Sequence, residues 1–417
     1  MTIPLRRGPH QTGPVPDPRP LPAPSIPASG QEEIRRQNLS ALLRHLHVYG
    51  PTSRTELSGL LNLNRSTIGA LAADLVAADL ATEEAPTTGR RAGRPSLVVS
   101  PRSERVWVRV ATIESERLCV ARVGLGGLIM DQREAPRPPG ATPLDTVTEL
   151  AALMGQAERD LGPDTVCAGG TVAVATTIHE LDGTIHVTGA DERIAAALDA
   201  ALDVGAAKRP GFVTTDLAAA AVLAEHIRGV AVGMDDVVYL HGDRGISAGI
   251  ITGGRLVTGR GGRSGQVGHM VVHPDGRQCG CGARGCWETE VGVAALLRAA
   301  GVPAGTRPRA VLRAAARGDA VARAALNAVA GWLGLGVANL VNLFNPDIVV
   351  FGGTLRELYT ASATHIRRRV DSAALPASRE HLQLRAGALG PDAALIGAAE
   401  LAFENLLTDP LNARVPD

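Results

Sequence analysis

The sequence predicts an α/β protein in which an N-terminal winged helix-turn-helix precedes a larger domain. Three short amphipathic helical segments occupy residues 31–82, and an arginine-rich hairpin pattern follows them over residues 81–100. From about residue 105, apolar strand-like runs alternate with alanine-rich helical segments, which is typical of an α/β domain. With 417 residues, of which 45% are hydrophobic, the chain can form two or three domains with substantial cores.

These patterns divide the chain into three parts. Residues 1–30 are dense in proline and poor in large apolar residues, which predicts a disordered tail to which we assign no function. Residues 31–100 form the predicted winged helix-turn-helix, and residues 101–417 form the larger domain. Strands are predicted in six runs of the larger domain: 106–111, 118–123, 171–176, 237–240, 248–252 and 348–351.

Apolar spacing and capping residues place the three N-terminal helices. Ser53 and Glu56 have the spacing of a capping box, and Asn64 can cap the helix that follows the turn. Gly50 ends the first helix. The predicted core faces of the three helices are Leu39, Leu42, Leu43 and Leu46; Leu57, Leu60 and Leu61; and Ile68, Leu71, Leu75 and Val76.

The first turn of the third helix predicts a contact with double-stranded DNA. When its apolar stripe packs inward, Arg65, Ser66 and Thr67 face outward. A recognition helix presents this turn to base edges in the major groove, where an arginine can pair with guanine. The alternative is that these residues form an ordinary solvated helix face.

The predicted wing supplies local positive charge. Residues 89–95 contain Arg90, Arg91 and Arg94 but no acidic residue, and arginines beside glycines suit a narrow minor groove. The chain has 42 basic and 42 acidic residues, so its formal net charge is zero. Attraction to an operator must therefore come from such local clusters rather than from the field of the whole protein.

Four side chains in a glycine-rich segment have the composition of a closed zinc site: His269, Cys279, Cys281 and Cys286. Thiolates and an imidazole are preferred zinc ligands, and four protein ligands leave no position for an activated water molecule. We therefore expect one structural Zn²⁺ per chain. Three of the five cysteines lie within eight positions, which favours a cytosolic metal cluster over a disulfide framework. Cys119 and Cys167 lie in apolar runs and are expected to be buried thiols.

The segment around this cluster resembles the signature of the ROK family (repressors, open reading frames, kinases). The resemblance rests on residues 265–269, GQVGH, and residues 279–288, CGCGARGCWE. Gly352-Gly353 and Thr215-Asp216 are similar to two further family segments. The resemblance covers most of residues 105–405 and implies a two-lobed actin/hexokinase-like (ASKHA) ROK domain, with a sugar between the lobes and a dimerisation surface.

The resemblance also implies the sugar-binding residues, which are Thr215, Asp216, Gln266, His269 and Glu288. Asp216 matches the catalytic base of the family's kinases, but it can equally cap the alanine-rich helix that follows it. Glu288 can likewise be a solvated helix start. Thr215 and Gln266 stand where asparagine and glutamate are usual, so the resemblance does not identify the effector.

Two segments depart from the pattern of a working kinase. Residues 111–115, ATIES, match the family's D-x-G-G-T phosphate loop but contain no glycine. In the second loop, Ser247 stands at a usual glycine and Asp243 would repel phosphate. We therefore expect kinase activity to be lost and assign no catalytic residue.

Together, these features predict a DNA-binding transcriptional regulator, a repressor of carbohydrate metabolism, which responds to a sugar or sugar derivative. The family implies a homodimer or homotetramer. Two alternatives remain: an active ROK-type sugar kinase that uses ATP, and a ligand-independent DNA-binding protein whose larger domain only dimerises.

The sequence predicts no membrane association. No apolar run approaches the roughly 18 residues of a bilayer span, and a proline-rich segment follows Arg6-Arg7 where a signal peptide would have an apolar stretch. The expected location is the cytoplasm, in association with the nucleoid.

Overall fold

The computed structural model describes residues 30–85, 96–138, 140–159, 161–162, 164–175, 177–181, 184–188, 192–202 and 210–412. Apart from Gly30, the predicted tail lies outside the described residues. The wing arginines Arg90, Arg91 and Arg94 also lie outside them.

The N-terminal part has the element order of a winged helix. Its elements are α1 (Gly30–Tyr49), β1 (Thr52–Ser53), α2 (Arg54–Leu60), α3 (Arg65–Ala77), β2 (Ala81–Glu84) and β3 (Val98–Pro101). The three strands form an antiparallel sheet in the order β1-β3-β2. The strands β2 and β3 flank the segment predicted to form the wing.

Both predicted caps are present. Ser53 and Glu56 exchange the two hydrogen bonds of a capping box at the start of α2, and the Asn64 side chain accepts from the main-chain N–H of Thr67 at 2.8 Å. The prediction that Leu60 and Val76 face the core is wrong, because these side chains are 63% and 37% exposed. Successive helix residues are rotated by about 100° around the axis, so each of these two side chains points away from the core that its adjacent residue faces. Helix α2 is also too short to bury more than one face.

The first lobe is a five-stranded sheet with helices against it. Its elements are β4 (Val106–Ile113), β5 (Arg117–Gly124), β6 (Leu128–Pro136), α4 (Pro143–Ala157), β7 (Val166–Val174), the hairpin β8 (Thr177–Leu181) and β9 (Thr184–Thr188), α5 (Glu192–Ala201), β10 (Phe212–Asp216) and α6 (Leu217–Arg228). The strand order is β10-β7-β4-β5-β6. The register aligns Ile113, Val174 and Asp216 across the three parallel strands, so the ends of these strands meet at one edge.

The second lobe repeats the five-stranded plan. Its elements are β11 (Val237–Gly242), β12 (Ile246–Thr252), β13 (Arg255–Leu256), α7 (Trp287–Glu290), α8 (Val293–Ala299), α9 (Pro308–Ala316), α10 (Ala320–Phe344), β14 (Ile348–Gly353), α11 (Thr354–Ala373), α12 (Pro376–Arg379), β15 (Gln383–Ala386) and α13 (Ala393–Thr408). The strand order is β13-β12-β11-β14-β15. Helix α13 returns to the first lobe and packs on α6, β4, β7 and α1.

Each of the six predicted strand runs overlaps a strand of the two lobes. The largest difference is at β7, which begins at Val166 rather than at residue 171 and ends at Val174. Glycines at 169 and 170 weaken the apolar pattern of its first half, although Ala402 and Phe212 pack directly against them. The α/β class and the two-lobed architecture predicted from the sequence are confirmed.

The expectation that no apolar segment approaches the length of a bilayer span does not hold for helix α10. It has 25 residues and a window with a mean hydropathy of 1.5, which meets the length and composition of a membrane span. However, 61% of that window is buried inside the protein. Its buried face, which includes Leu333, Val337 and Val341, forms the centre of the second lobe's core.

Candidate functional site

The four predicted metal ligands come together in the structure. The atoms that His269, Cys279, Cys281 and Cys286 can offer to an ion all lie within 4.8 Å of one another. Cys279 Sγ is 3.6 Å from His269 Nδ1, and Cys281 Sγ is 3.6 Å from Cys286 Sγ. Tetrahedral zinc bonds of about 2.0–2.3 Å give ligand–ligand separations of this size. These four side chains, called the Cys/His cluster below, could therefore hold a metal ion.

Local backbone geometry explains how the Cys/His cluster forms. Isolated β-bridges join Val271 to Cys286 and Gln278 to Arg284, which folds the cysteine loop back on itself. Gly285 has a φ of 69°, and an ideal Cβ there would lie 1.6 Å from the carbonyl oxygen of His273. Only glycine fits at this position, so the sequence around the last ligand is dictated by backbone contact.

The residue after the last ligand anchors the loop to the second lobe. Trp287 is fully buried, and its Nε1 donates to the carbonyl oxygen of Trp332 at 2.9 Å. An ideal Cβ at Gly336 would lie 2.0 Å from the indole ring. The Cys/His cluster is therefore attached to α10 through direct ring-to-backbone packing.

Burial affects the titration of the cluster's thiols. It raises the pKa of Cys286 to about 11 and also raises the pKa of Cys279, where Glu288 adds to the effect. These groups therefore favour the protonated form in the absence of a cation, whereas a bound cation stabilises the thiolates.

Glu288 links the Cys/His cluster to the turn between β11 and β12. Its Oε1 accepts from Cys279 Sγ at 3.0 Å and lies 3.7 Å from His269 Nδ1. Its Oε2 would lie 2.6 Å from an ideal Cβ at Gly245, so the absence of a side chain there makes room for the carboxylate. Glu288 therefore makes specific contacts and is not simply a solvated residue at the start of a helix.

Thr215 and Asp216 line a cavity of about 600 Å³. Other polar side chains in its wall include Thr258 and Ser264, on the loop after β13, and Glu404 on α13. Asp216 is only 5% exposed, and its side chain accepts from the main-chain N–H of Ala218 at 2.8 Å. Asp216 therefore caps α6 and also borders the cavity.

The five predicted sugar-binding residues fall into two groups. Among the described residues, Gln266, His269 and Glu288 do not line the 600 Å³ cavity. The two groups approach each other across β12. An ideal Cβ at Gly249 would lie 2.1 Å from the carbonyl oxygen of Ala218, and the N–H of Ala248 donates to the carbonyl oxygen of Gly265 at 2.7 Å. Adjacent residues of one strand therefore contact the chain segments that carry the two groups.

The turn 114–116, between β4 and β5, contacts the turn 243–245, between β11 and β12. The main-chain N–H of Ser115 donates to Asp243 Oδ2 at 2.9 Å, and the Ser115 hydroxyl donates to Asp243 Oδ1. We call Ser115 and Asp243 the cross-cleft pair. Each belongs to a different lobe, so the pair connects the lobes directly.

A second, smaller cavity of about 230 Å³ lies beside the cross-cleft pair. Its wall includes Gly353, Glu114, Arg117 and His241. The Nδ1 atom of His241 is buried and has no hydrogen-bond partner among the described residues. Burial lowers the pKa of His241 to about 4, with nearby Asp243 opposing that shift.

The predicted DNA-contacting turn is on the surface. Arg65 and Ser66 are exposed and Thr67 is half-buried at the start of α3. The Ser66 hydroxyl donates to Asn64 Oδ1 at 2.6 Å, which orders the turn without using the Arg65 side chain.

The chain is similar to proteins of one family along most of its length. The ROK family matches residues 116–405. The N-acetylmannosamine kinase of Escherichia fergusonii is 30% identical over 298 residues, which cover 70% of this chain and 96% of the kinase. The xylose repressor of Bacillus spizizenii is 24% identical over 387 residues, which cover 90% of this chain and 97% of the repressor.

A solved structure shows the same fold along nearly the whole chain. The crystal structure of a ROK family transcriptional regulator, a homolog of the E. coli MLC protein, superposes with a TM-score of 0.71 and 23% identity. The superposition covers 91% of this chain and 98% of that one. The resemblance inferred from the cysteine-rich segment is thus confirmed, and the chain belongs to the ROK family.

Proposed function

We propose that this protein is a sequence-specific transcriptional regulator, acting as a repressor of carbohydrate metabolism, whose DNA binding responds to a sugar or sugar derivative. It acts in the cytoplasm on a double-stranded operator as a homodimer or homotetramer. A two-fold protein would read two half-sites separated by whole turns of the DNA helix.

One observation supports the regulator most strongly: a winged helix with an exposed α3 turn packs on a ROK body in the same chain. Arg65 and Ser66 point to solvent, as direct base contact requires. The xylose repressor aligns along 90% of this chain, whereas the kinase aligns along 70% although 96% of its own length is matched. This chain therefore carries a large segment that the kinase lacks and the repressor has.

The sugar response is supported by the chemistry of the cleft. Asp216 offers a buried carboxylate, and Thr215 and Ser264 offer hydroxyl groups, which suit hydrogen bonding to a polyhydroxyl ligand. Gln266, His269 and Glu288 would join them if closure of the lobes around the ligand brought the two groups of residues together. A structural Zn²⁺ in the Cys/His cluster would hold His269 and the start of α7 in fixed positions.

The loss of kinase activity is supported by the cross-cleft pair. Phosphoryl transfer needs loops whose donors are free to surround the phosphates. Here the N–H and hydroxyl of Ser115 are used by Asp243, and that carboxylate would repel a nucleotide phosphate.

The test is operator selection followed by a sugar titration. Full-length protein would be used to select duplexes from a random DNA pool, and the Kd of the selected duplex would be measured with D-xylose, D-glucose and N-acetyl-D-mannosamine in turn. We expect sequence-specific binding that at least one sugar changes by about fivefold or more. Selection of no sequence would contradict the regulator. If a duplex is selected but its Kd responds to none of these three sugars, nor to a wider panel of hexoses and sugar phosphates, the ligand-independent protein would be favoured.

A ROK-type sugar kinase is the second candidate. Its support is the 30% identity to N-acetylmannosamine kinase and the position of Asp216 at the cavity. ATP-dependent phosphorylation of any of the three sugars, abolished by Asp216→Ala, would establish kinase activity and exclude an inactive kinase-like domain.

A further inference from the structure

The last residue of α6 contacts the DNA-binding part of the chain. Arg228 Nη2 donates to the carbonyl oxygen of His47 at 2.9 Å, and its Nη1 donates to that of Val48 at 3.3 Å. Both carbonyls belong to the last turn of α1, which ends at Tyr49. The last four carbonyls of a helix have no partner within it, and a cation there is also favoured by the helix dipole. Arg228 therefore holds the end of α1.

A buried ion pair completes this contact. Arg228 Nε donates to Glu400 Oε1 at 2.6 Å, and His47 Nε2 lies 3.1 Å from Glu400 Oε2. His47 Nδ1 accepts from the main-chain N–H of Gly126 at 2.9 Å, so Nε2 carries the proton that is donated to Glu400. His47 is fully buried and Glu400 is 6% exposed. We call His47, Arg228 and Glu400 the α1 junction.

The other end of α6 lies at the 600 Å³ cavity. Asp216 lines the cavity and caps the first turn of α6, and Arg228 is the twelfth and last residue of the helix. A helix of this length spans about 18 Å. One straight element therefore connects a residue proposed to bind the sugar with the end of α1.

Close backbone packing fixes α6 against its neighbours. An ideal Cβ at Gly397, on α13, would lie 1.7 Å from the carbonyl oxygen of Ala220. An ideal Cβ at Gly249, on β12, would lie 2.1 Å from that of Ala218. Because α6 is buried along this alanine-rich face, a displacement of its first turn is carried to its last turn rather than absorbed by side chains.

We propose that α6 transmits the state of the sugar cleft to the winged helix, with Arg228, Glu400 and His47 as the positioning residues. This inference rests on the proposed function. A ligand that contacts Asp216 favours one placement of α6, and the α1 junction converts that placement into an orientation of α1. Only a ligand with different affinities for the two arrangements can shift their balance.

The first test uses the selected DNA duplex and needs no sugar. Because coupling is reciprocal, DNA bound at the winged helix must affect the cleft end of α6. We expect hydrogen exchange at the amides of residues 217–220 to change by about fivefold or more when full-length protein binds the duplex. In Arg228→Met saturated with the duplex, this change is expected to disappear.

The internal control is the first turn of α10, which is also capped by an aspartate, Asp319. Exchange at residues 320–323 should not respond to DNA in either protein. Unchanged exchange at residues 217–220 in DNA-bound wild type would overturn the inference and leave the proposed function intact. If the protein selects no DNA, the proposed function itself fails.

The second test adds a sugar that raises the melting temperature. We expect Arg228→Met to retain the sugar-induced rise in Tm but to lose the sugar-induced change in Kd for DNA, to within about twofold. Arg228→Lys keeps the charge without the planar fork and should restore part of the response. A full response in Arg228→Met would overturn the role of the α1 junction.

Discussion

Ser115 donates its main-chain N–H and its hydroxyl to the two carboxylate oxygens of Asp243, so two hairpin turns from different lobes meet at a single carboxylate. In a nucleotide-binding cleft, both turns would instead direct their donors at phosphate. The carboxylate here satisfies those donors internally. The interlobe arrangement is therefore stabilised by the protein's own residues at this end of the cleft.

Removing this carboxylate should weaken the contact between the two lobes. We expect Asp243→Ala to lower the free energy of unfolding by about 1–2 kcal/mol, because hydrogen bonds to a charged acceptor are removed at a half-exposed site. Small-angle X-ray scattering should show a larger radius of gyration. Asp235→Ala, an exposed residue of the same lobe, is the control. Unchanged stability and scattering in Asp243→Ala would show that the pair does not hold the lobes.

Metal removal should destabilise the second lobe. We expect about one zinc per purified chain by elemental analysis, and chelation should lower Tm because metal binding is coupled to folding of the loop. Cys281→Ser and His269→Ala should lose the metal and several kcal/mol of stability. Cys119→Ser, at a buried thiol away from the Cys/His cluster, should keep its zinc. A folded wild-type protein free of metal would refute the zinc site.

The two roles of Asp216 can be separated by a conservative substitution. Asparagine caps helices about as well as aspartate, so Asp216→Asn should keep α6 and the stability of the free protein. It removes the carboxylate charge, so the rise in Tm produced by a sugar should be lost. The matched control is Asp319→Asn, at the cap of α10, which should keep the full sugar response. An undiminished rise in Asp216→Asn would exclude its carboxylate from the site.

Recognition-helix and wing arginines should affect DNA binding differently. Arg65→Ala should reduce discrimination at one base pair by about 1–3 kcal/mol in competition with single-base variants. Arg90→Ala and Arg94→Ala should weaken binding to all sequences, and each should reduce the salt slope by about one, because one fewer phosphate is neutralised.

Arg36 provides the control for these variants, because it lies on the exposed face of α1 and pairs with Glu33. Arg36→Ala should bind like wild type. If Arg65→Ala, Arg90→Ala and Arg94→Ala all bind the selected duplex as wild type does, the proposed DNA interface is wrong.

His241, whose Nδ1 atom is buried, should make the protein sensitive to mild acid. Its pKa is about 4 in the folded protein, against 6.5 for an ordinary histidine, because burial opposes the charged form. The unfolded chain therefore takes up a proton below pH 6.5 that the folded protein resists. The contribution of neutral His241 to the free energy of unfolding is fully present above pH 6.5. It falls by up to about 1.4 kcal/mol per pH unit as the pH drops towards 4.

The measurement is urea unfolding at a series of pH values between 7 and 4. His241→Gln should flatten this part of the profile, whereas His381→Gln, at an exposed position, should leave it unchanged. A profile for His241→Gln that is as steep as that of wild type would assign the acid sensitivity to other groups.

Local signals explain which parts of the site were predictable. The Ser53 and Asn64 caps, the cysteine spacing and the glycines around it act over a few residues, so the sequence displays them directly. Family resemblance supplied the residues of the cleft, but it did not place Gln266 and Glu288 relative to the cavity that Asp216 lines. That placement depends on how the loop after β13 folds over β12.

Contacts between distant segments could not be predicted in this way. Ser115 and Asp243 are 128 residues apart, and Arg228 and His47 are 181 residues apart. Each of these residues is of a type that is common in ordinary turns or at helix ends. Their meeting depends on the angle between the lobes and on the return of α13 to the first lobe, which no local pattern encodes.

The burial of Trp287 against Gly336 bears on the lifetime of an ion in the adjacent loop. Since this ring directly follows the ligand Cys286, the loop cannot open widely until the indole leaves its position on α10. The departure rate of a bound metal would then follow the rate of local unfolding and not the intrinsic bond-breaking rate at the ligands. The metal occupancy of the site would then be set while each new chain folds. Later changes in the free metal concentration would alter that occupancy only slowly.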